Sequence, residues 1–125
     1  MSIAEYFQKY SRQIEFFFQL SIFAEENIEY DHRTEYVGVV RGHIVFCDGS
    51  NLSFMEFVDT KAKESKITYT YHYQTVDCIQ IFRYDNAPHR STLGYRHHKH
   101  VGASINKSDI PSIQSVLSEI TGRFI

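Results

Sequence analysis

The sequence predicts an α+β fold in a single domain: an N-terminal helix, an antiparallel sheet of about five strands arranged as a hairpin meander, and a C-terminal helix. Three observations carry this expectation. Apolar side chains recur at helical spacing near both ends of the chain, whereas from Tyr36 onward the period falls to two. An Asp48-Gly49 pair sits between two alternating runs, which is the signature of a tight hairpin. At 125 residues the chain suits one domain, 1–125, and is long enough to bury roughly two thirds of its unfolded surface.

The first element is an amphipathic helix within residues 1–24, with Ile3, Tyr6, Phe7, Tyr10, Ile14, Phe17 and Phe18 on its apolar stripe. That stripe reads as core, although a face so rich in Phe also suits a docked partner chain or a homodimer contact. A strand at about 35–41, ending before Gly42, should pair with IVFC, and IVFC with SNLSFMEFV across the Asp48-Gly49 turn. Lys61 to Lys66 then form a charged loop. The next pair is ITYTYHYQ and CIQIFRYD. Alternation puts Tyr69, Tyr71 and Tyr73 on one face of the first strand and Thr70, His72 and Gln74 on the other. In the second, Ile79, Ile81, Arg83 and Asp85 share a face. Residues 86–107 contain Pro88, Gly94 and Gly102 and no sustained period, as in an ordered functional loop or a short final hairpin. Ser108 or Asp109 should cap the last helix, with Pro111 in its first turn, Ile113, Val116, Leu117 and Ile120 buried, and Gly122 at its end.

Composition narrows the function classes. Apolar residues make up 42% of the chain and charged residues 22%, an ordinary balance for a folded protein. A net charge of −2 excludes the broad positive field of a general nucleic-acid binder, so any polyanion must be held locally. One segment could do so: between Arg83 and His100, Arg83, Arg90, Arg96 and Lys99 face only Asp85. Cys47 and Cys78 lack CxxC or finger spacing and fall in apparent strands, which reads as buried free thiols in a reducing compartment. No run approaches the roughly 20 apolar residues needed to cross a bilayer, and no leader pattern opens the chain, so a cytoplasmic location without membrane partners is expected.

Five of the seven histidines lie between Tyr69 and His100. Imidazole changes charge near neutral pH, transfers protons and ligates metals, so such a density points to proton-transfer chemistry or coordination. His72 should leave its strand on the polar face; the bland reading is a histidine satisfied by cross-strand hydrogen bonds. Arg83 and Asp85 form either an ion pair or a phosphate grip beside a carboxylate that orients an imidazole. In His97-His98-Lys99-His100 an extended backbone would put His98 and His100 on one face and His97 and Lys99 on the other. Metal-free RNA cleavage needs a base for the 2′-hydroxyl proton, an acid for the leaving oxygen and cations for the phosphorane charge. The candidate catalytic set is therefore His72, Arg83, Asp85, His89, His98, Lys99 and His100, with no cofactor. Tyr73, Tyr84 and Tyr95 could stack unpaired bases, or simply pack the sheet. The competing enzyme scheme is a hydrolase with a divalent metal on His72, Asp85, His89, His98 and His100. A third reading is a non-enzymatic binding module whose His-rich loop docks a protein.

The run GHIVFCDGSNLSFMEFVD, followed by YTYHYQ, FRYDNAPH and HHKH and a closing amphipathic helix, resembles the TumE-like toxins of bacterial and archaeal toxin–antitoxin modules. The likeness covers roughly residues 36–120. It implies a small cytoplasmic α+β toxin paired with an antitoxin that usually carries a helix-turn-helix DNA-binding domain. The family's signature maps onto Tyr71, His72, Tyr73, Gln74, Phe82, Arg83, Tyr84, Asp85, Asn86, Pro88, His89, His98, Lys99 and His100. Arg90 stands where members often have a second histidine and Arg96 where they often have proline. His97 and Arg90 are therefore left out of the candidate set.

Overall fold

The computed structural model describes residues 1–87 and 96–124. Helix α1 (Ile3–Phe18) leads into β1 (Phe23–His32), β2 (Val37–Phe46), β3 (Asn51–Asp59), β4 (Lys66–Gln74), β5 (Gln80–Asp85), β6 (His98–Val101) and β7 (Ser104–Lys107), and α2 (Ile113–Thr121) closes the fold. The strands form one seven-stranded antiparallel sheet in chain order, β1-β2-β3-β4-β5-β6-β7. Class and order agree with the sequence reading; the strand count is higher.

Both helices pack on one face. Ile3, Phe7, Tyr10, Ile14 and Phe17 of α1 and Ile113, Val116, Leu117 and Ile120 of α2 join Val40, Ile44, Phe46, Leu52, Phe54, Val58, Tyr69, Tyr71, Tyr73 and Phe82 in one core. Each helix starts at a serine capping box, Ser2 with Glu5 and Ser112 with Ser115, in which side chain and backbone satisfy each other's free groups. The second box corrects the expectation for α2. Ser112 caps it rather than Ser108 or Asp109, and Pro111 precedes the cap, where its missing N–H costs nothing.

The departures in the sheet have local causes. Gly42 lies inside β2, not at a break, because β2 runs on through it: a Cβ there would come within 2.8 Å of Phe54 Cε1, so only glycine lets the core ring lie flat on the strand. The Asp48-Gly49 turn forms as expected, with Gly49 at φ +86° and Asp48 Oδ1 accepting from the Ser50 backbone N–H at 2.9 Å. Helix α1 stops at Phe18, and the residues after it form β1, an unforeseen strand on the sheet edge. Cys47 and Cys78 are exposed rather than buried, since both lie in connections, Cys78 at φ +65°.

Candidate active site

Strand register builds the site. His72 of β4 pairs with Arg83 of β5, which pairs with His100 of β6; Thr70, Asp85 and His98 make the parallel row one step along. Alternation turns Tyr69, Tyr71 and Tyr73 toward the helices, so these polar rows stand on the opposite, helix-free face. The Arg83–His100 row continues the other way through Ser53 and His43. His43 Nδ1 lies 2.9 Å from Ser53 Oγ. Neither residue was a sequence candidate. Their signal was the hairpin itself, which places them opposite each other about Asp48-Gly49.

Asp85 is the hub. Its carboxylate, 4% exposed, takes Arg83 Nε at 2.8 Å and His100 Nε2 at 3.3 Å on Oδ2, and His98 Nε2 at 2.9 Å and the Ala87 backbone N–H at 3.1 Å on Oδ1. A buried carboxylate is tolerated when its lone pairs are met in this way. His98, 1% exposed, has Nδ1 at 2.9 Å from the Arg96 carbonyl. That oxygen, like the Asp85 carboxylate on the other side of the ring, can only accept, so both nitrogens of His98 face acceptors. His98 is thus held on both sides and sealed from solvent.

His72 and Arg83 are the part of the cluster that reaches solvent, with His100 buried beside them at 8% exposure. Arg83 reaches 3.2 Å from His100 Nε2 through one terminal nitrogen while its side chain stays 39% exposed. Its other terminal nitrogen has no protein partner among the described residues. Partial burial, and next the Arg83 charge across the strand, lower the His72 imidazole below its ordinary range, so at neutral pH it is a free base. Asp85, His98 and His100 also present three ligand atoms within 4.8 Å of one another, a two-histidine, one-carboxylate group suited to a divalent metal. The Nδ1–H bond from His98 to a carbonyl is the outer-shell contact that metal-bound histidines usually make. Arg83 already fills the space between Asp85 and His100 with a positive charge, which disfavours a cation there.

The sheet does not bring every sequence candidate to this face. Lys99, between His98 and His100, points to the helix side, where Nζ meets Glu119 of α2 at 2.8 Å and lies 4.9 Å from the Tyr84 ring centre. His97 stacks on Tyr69 at 5.8 Å, with Nδ1 at 2.8 Å from its hydroxyl. Tyr73 is buried in the core and Tyr84 is tied to Glu119, so these rings are packing, not a base-stacking platform. His89 and Tyr95, with Pro88 and Arg90, lie outside the described residues.

A family model described as Toxin TumE matches residues 13–124. The chain belongs to the TumE toxin family. The match reaches into α1, beyond the 36–120 span of the resemblance, so the TumE unit here includes most of the helix-covered core. Membership makes the protein the toxin of a toxin–antitoxin pair, with an antitoxin as its partner in general. No match was found among curated proteins or among solved structures. Among the described residues, no helix of this TumE chain is long and apolar enough to cross a membrane.

Proposed function

We propose that this toxin is a metal-independent endoribonuclease whose active site is the open-face row His72–Arg83–His100. The observation that carries the reading is the convergence, beside a neutral base, of an exposed guanidinium with a free edge and a second imidazole held by a buried carboxylate. His72 takes the 2′-hydroxyl proton and the 2′-oxygen attacks phosphorus. Arg83 holds the charge that grows on the phosphoryl oxygens, and His100 returns a proton to the departing 5′-oxygen. The products are a 2′,3′-cyclic phosphate and a 5′-hydroxyl. His72 and His100 stand two strands apart, about 10 Å between backbones, with Arg83 between them where a phosphate would sit. Asp85 and His98 orient the set, Lys99 has no part in it, and RNA in the cytoplasm is the substrate. The antitoxin is of the helix-turn-helix DNA-binding type.

The test is incubation of partner-free toxin with total RNA and labelled oligonucleotides, with and without EDTA, alongside His72→Ala. Cleavage that survives EDTA and is lost in the variant is the expected result. A second reading, in which Asp85, His98 and His100 bind a divalent metal, is favoured by their 4.8 Å grouping, and EDTA-sensitive cleavage would establish it in place of the first. No cleavage under either condition rejects both.

A further inference from the structure

The β1 edge of the sheet and the end of α1 form a second surface that the open-face chemistry leaves unused. Among the described residues β1 is paired with β2 alone, which leaves its outer edge open along ten residues, most of them exposed. Long exposed edges are templates for strand addition, and proteins usually blunt them with lysine or proline. β1 has neither and is guarded instead by its carboxylates and an irregularity between Phe23 and Glu25, so an added strand must complement the charge.

The surface is net acidic, its carboxylates outnumbering the two cations beside them, Arg41 across from Glu29 and Arg12 next to Glu15. Glu25, Glu26 and Glu29 lie on β1; Glu26 meets Glu15 of α1 on the helix side, while Glu25 and Glu29 stand on the helix-free face. Among the described residues none of the four is in an ion pair. Partial burial, then Glu15, push the Glu26 carboxyl above its ordinary range. Helix α1 also ends here without a basic residue in its last turn, which adds the negative end of its dipole. Apolar surface adjoins the charge: Phe16 is 61%, Leu20 44% and Phe18 40% exposed, and the Phe18 ring rests edge-on against Phe23 at 5.3 Å.

We propose that β1 is the docking edge for the antitoxin, which adds an extended, lysine- or arginine-rich segment as an eighth strand and sets apolar side chains against Phe16, Phe18 and Leu20. Charge selects this occupant. A second copy pairing β1 with β1 would set glutamates against glutamates. Nucleic acid and the anionic leaflet of a membrane are repelled by the same carboxylates. Main-chain hydrogen bonds along the edge give affinity, and the flanking Phe residues and carboxylates give specificity. The inference rests on the toxin's family membership and not on the nuclease reading.

Hydrogen–deuterium exchange of the full-length toxin, alone and with the antitoxin cloned from its own operon, tests it without RNA. The β1 amides, 23–32, should become protected in the complex. Affinity should fall at least tenfold in the triple variant Glu25→Lys, Glu26→Lys, Glu29→Lys, and also fall as salt is raised. The variant toxin should still arrest growth and no longer be neutralised. Protection confined to the His72–His100 face or to α2, with β1 exchanging as in the free toxin, would overturn the proposal. So would protection of β1 that rises with the concentration of toxin alone, which would assign the edge to a second copy. The exchange measurement on the unaltered chain decides the matter even if the variant fails to fold.

Discussion

Asp85 and Glu56 are both buried carboxylates, one on each face of the same sheet, and their surroundings differ in kind. Glu56 is fully enclosed beneath the helices. Tyr6 donates to it at 2.5 Å, Lys66 Nζ lies 3.4 Å away, and its Oε2 has no hydrogen-bond partner among the described residues. Burial raises its carboxyl and lowers the Lys66 ammonium, so each group pays for isolation from water. Asp85 is almost as deep, yet it is the centre of a connected set that reaches solvent through Arg83. The helix side therefore holds an enclosed pair that Tyr6 ties to α1 and that Lys66, donating to the Pro111 carbonyl, ties to the start of α2. The open side holds a connected set of imidazoles, carboxylate and guanidinium, which is what the proposed proton transfer requires.

Substitutions separate the two faces. The largest effect is expected from Asp85→Ala, which strips two imidazoles and a guanidinium of their common acceptor; removing one partner from a buried charged set costs about 3–5 kcal/mol. Urea unfolding measures it, and a loss under about 1 kcal/mol would mean that the hub is dispensable. On the helix side, Gly42→Ala forces a methyl into the Phe54 ring and should cost about 1–3 kcal/mol by the same assay, with the open-face chemistry otherwise intact.

A smaller effect is a pH dependence. Because His72 has a lowered folded-state affinity for protons, the unfolded chain binds more of them. His72 therefore contributes stability that is present above about pH 6.5 and is lost as pH falls from there through its folded value. The urea midpoint of the parent should drop more between pH 7 and 5 than that of His72→Gln; equal drops would show that His72 is not held neutral. Replacing Arg83 with Gln should raise the imidazole only part-way in an NMR titration, since burial is the larger cause. Smallest is Lys99→Ala, which removes one part-exposed ion pair with Glu119 and should cost less than about 1 kcal/mol.

Much of this architecture was legible in the sequence because alternation is a local signal. YTYHYQ assigns tyrosines to the core and His72 to the other face, and HHKH separates His98 and His100 from His97 and Lys99. The same alternation argued against Lys99, which the sequence set retained because charge alone suits a phosphate. The α2 stripe was equally plain. β1 was hidden for two reasons: FAEENIEYDH carries few β-branched residues, and the aromatic period of α1 runs on toward Phe23. Gly42 read as an end because its need, room for Phe54, belongs to the neighbouring strand. Which strands lie side by side is likewise a non-local fact, so the alignment of His43, Ser53, His72, Arg83 and His100 in one row came only with the register.

The open face as the toxic face is tested most directly by two adjacent residues. His100→Ala and Lys99→Ala alter consecutive positions whose side chains leave β6 on opposite sides. Each is induced without antitoxin in growing cells, with folding checked by thermal unfolding. Growth arrest should be lost in His100→Ala and kept in Lys99→Ala. Arrest kept in a folded His100→Ala and lost in a folded Lys99→Ala would move the function to the helix side of the sheet.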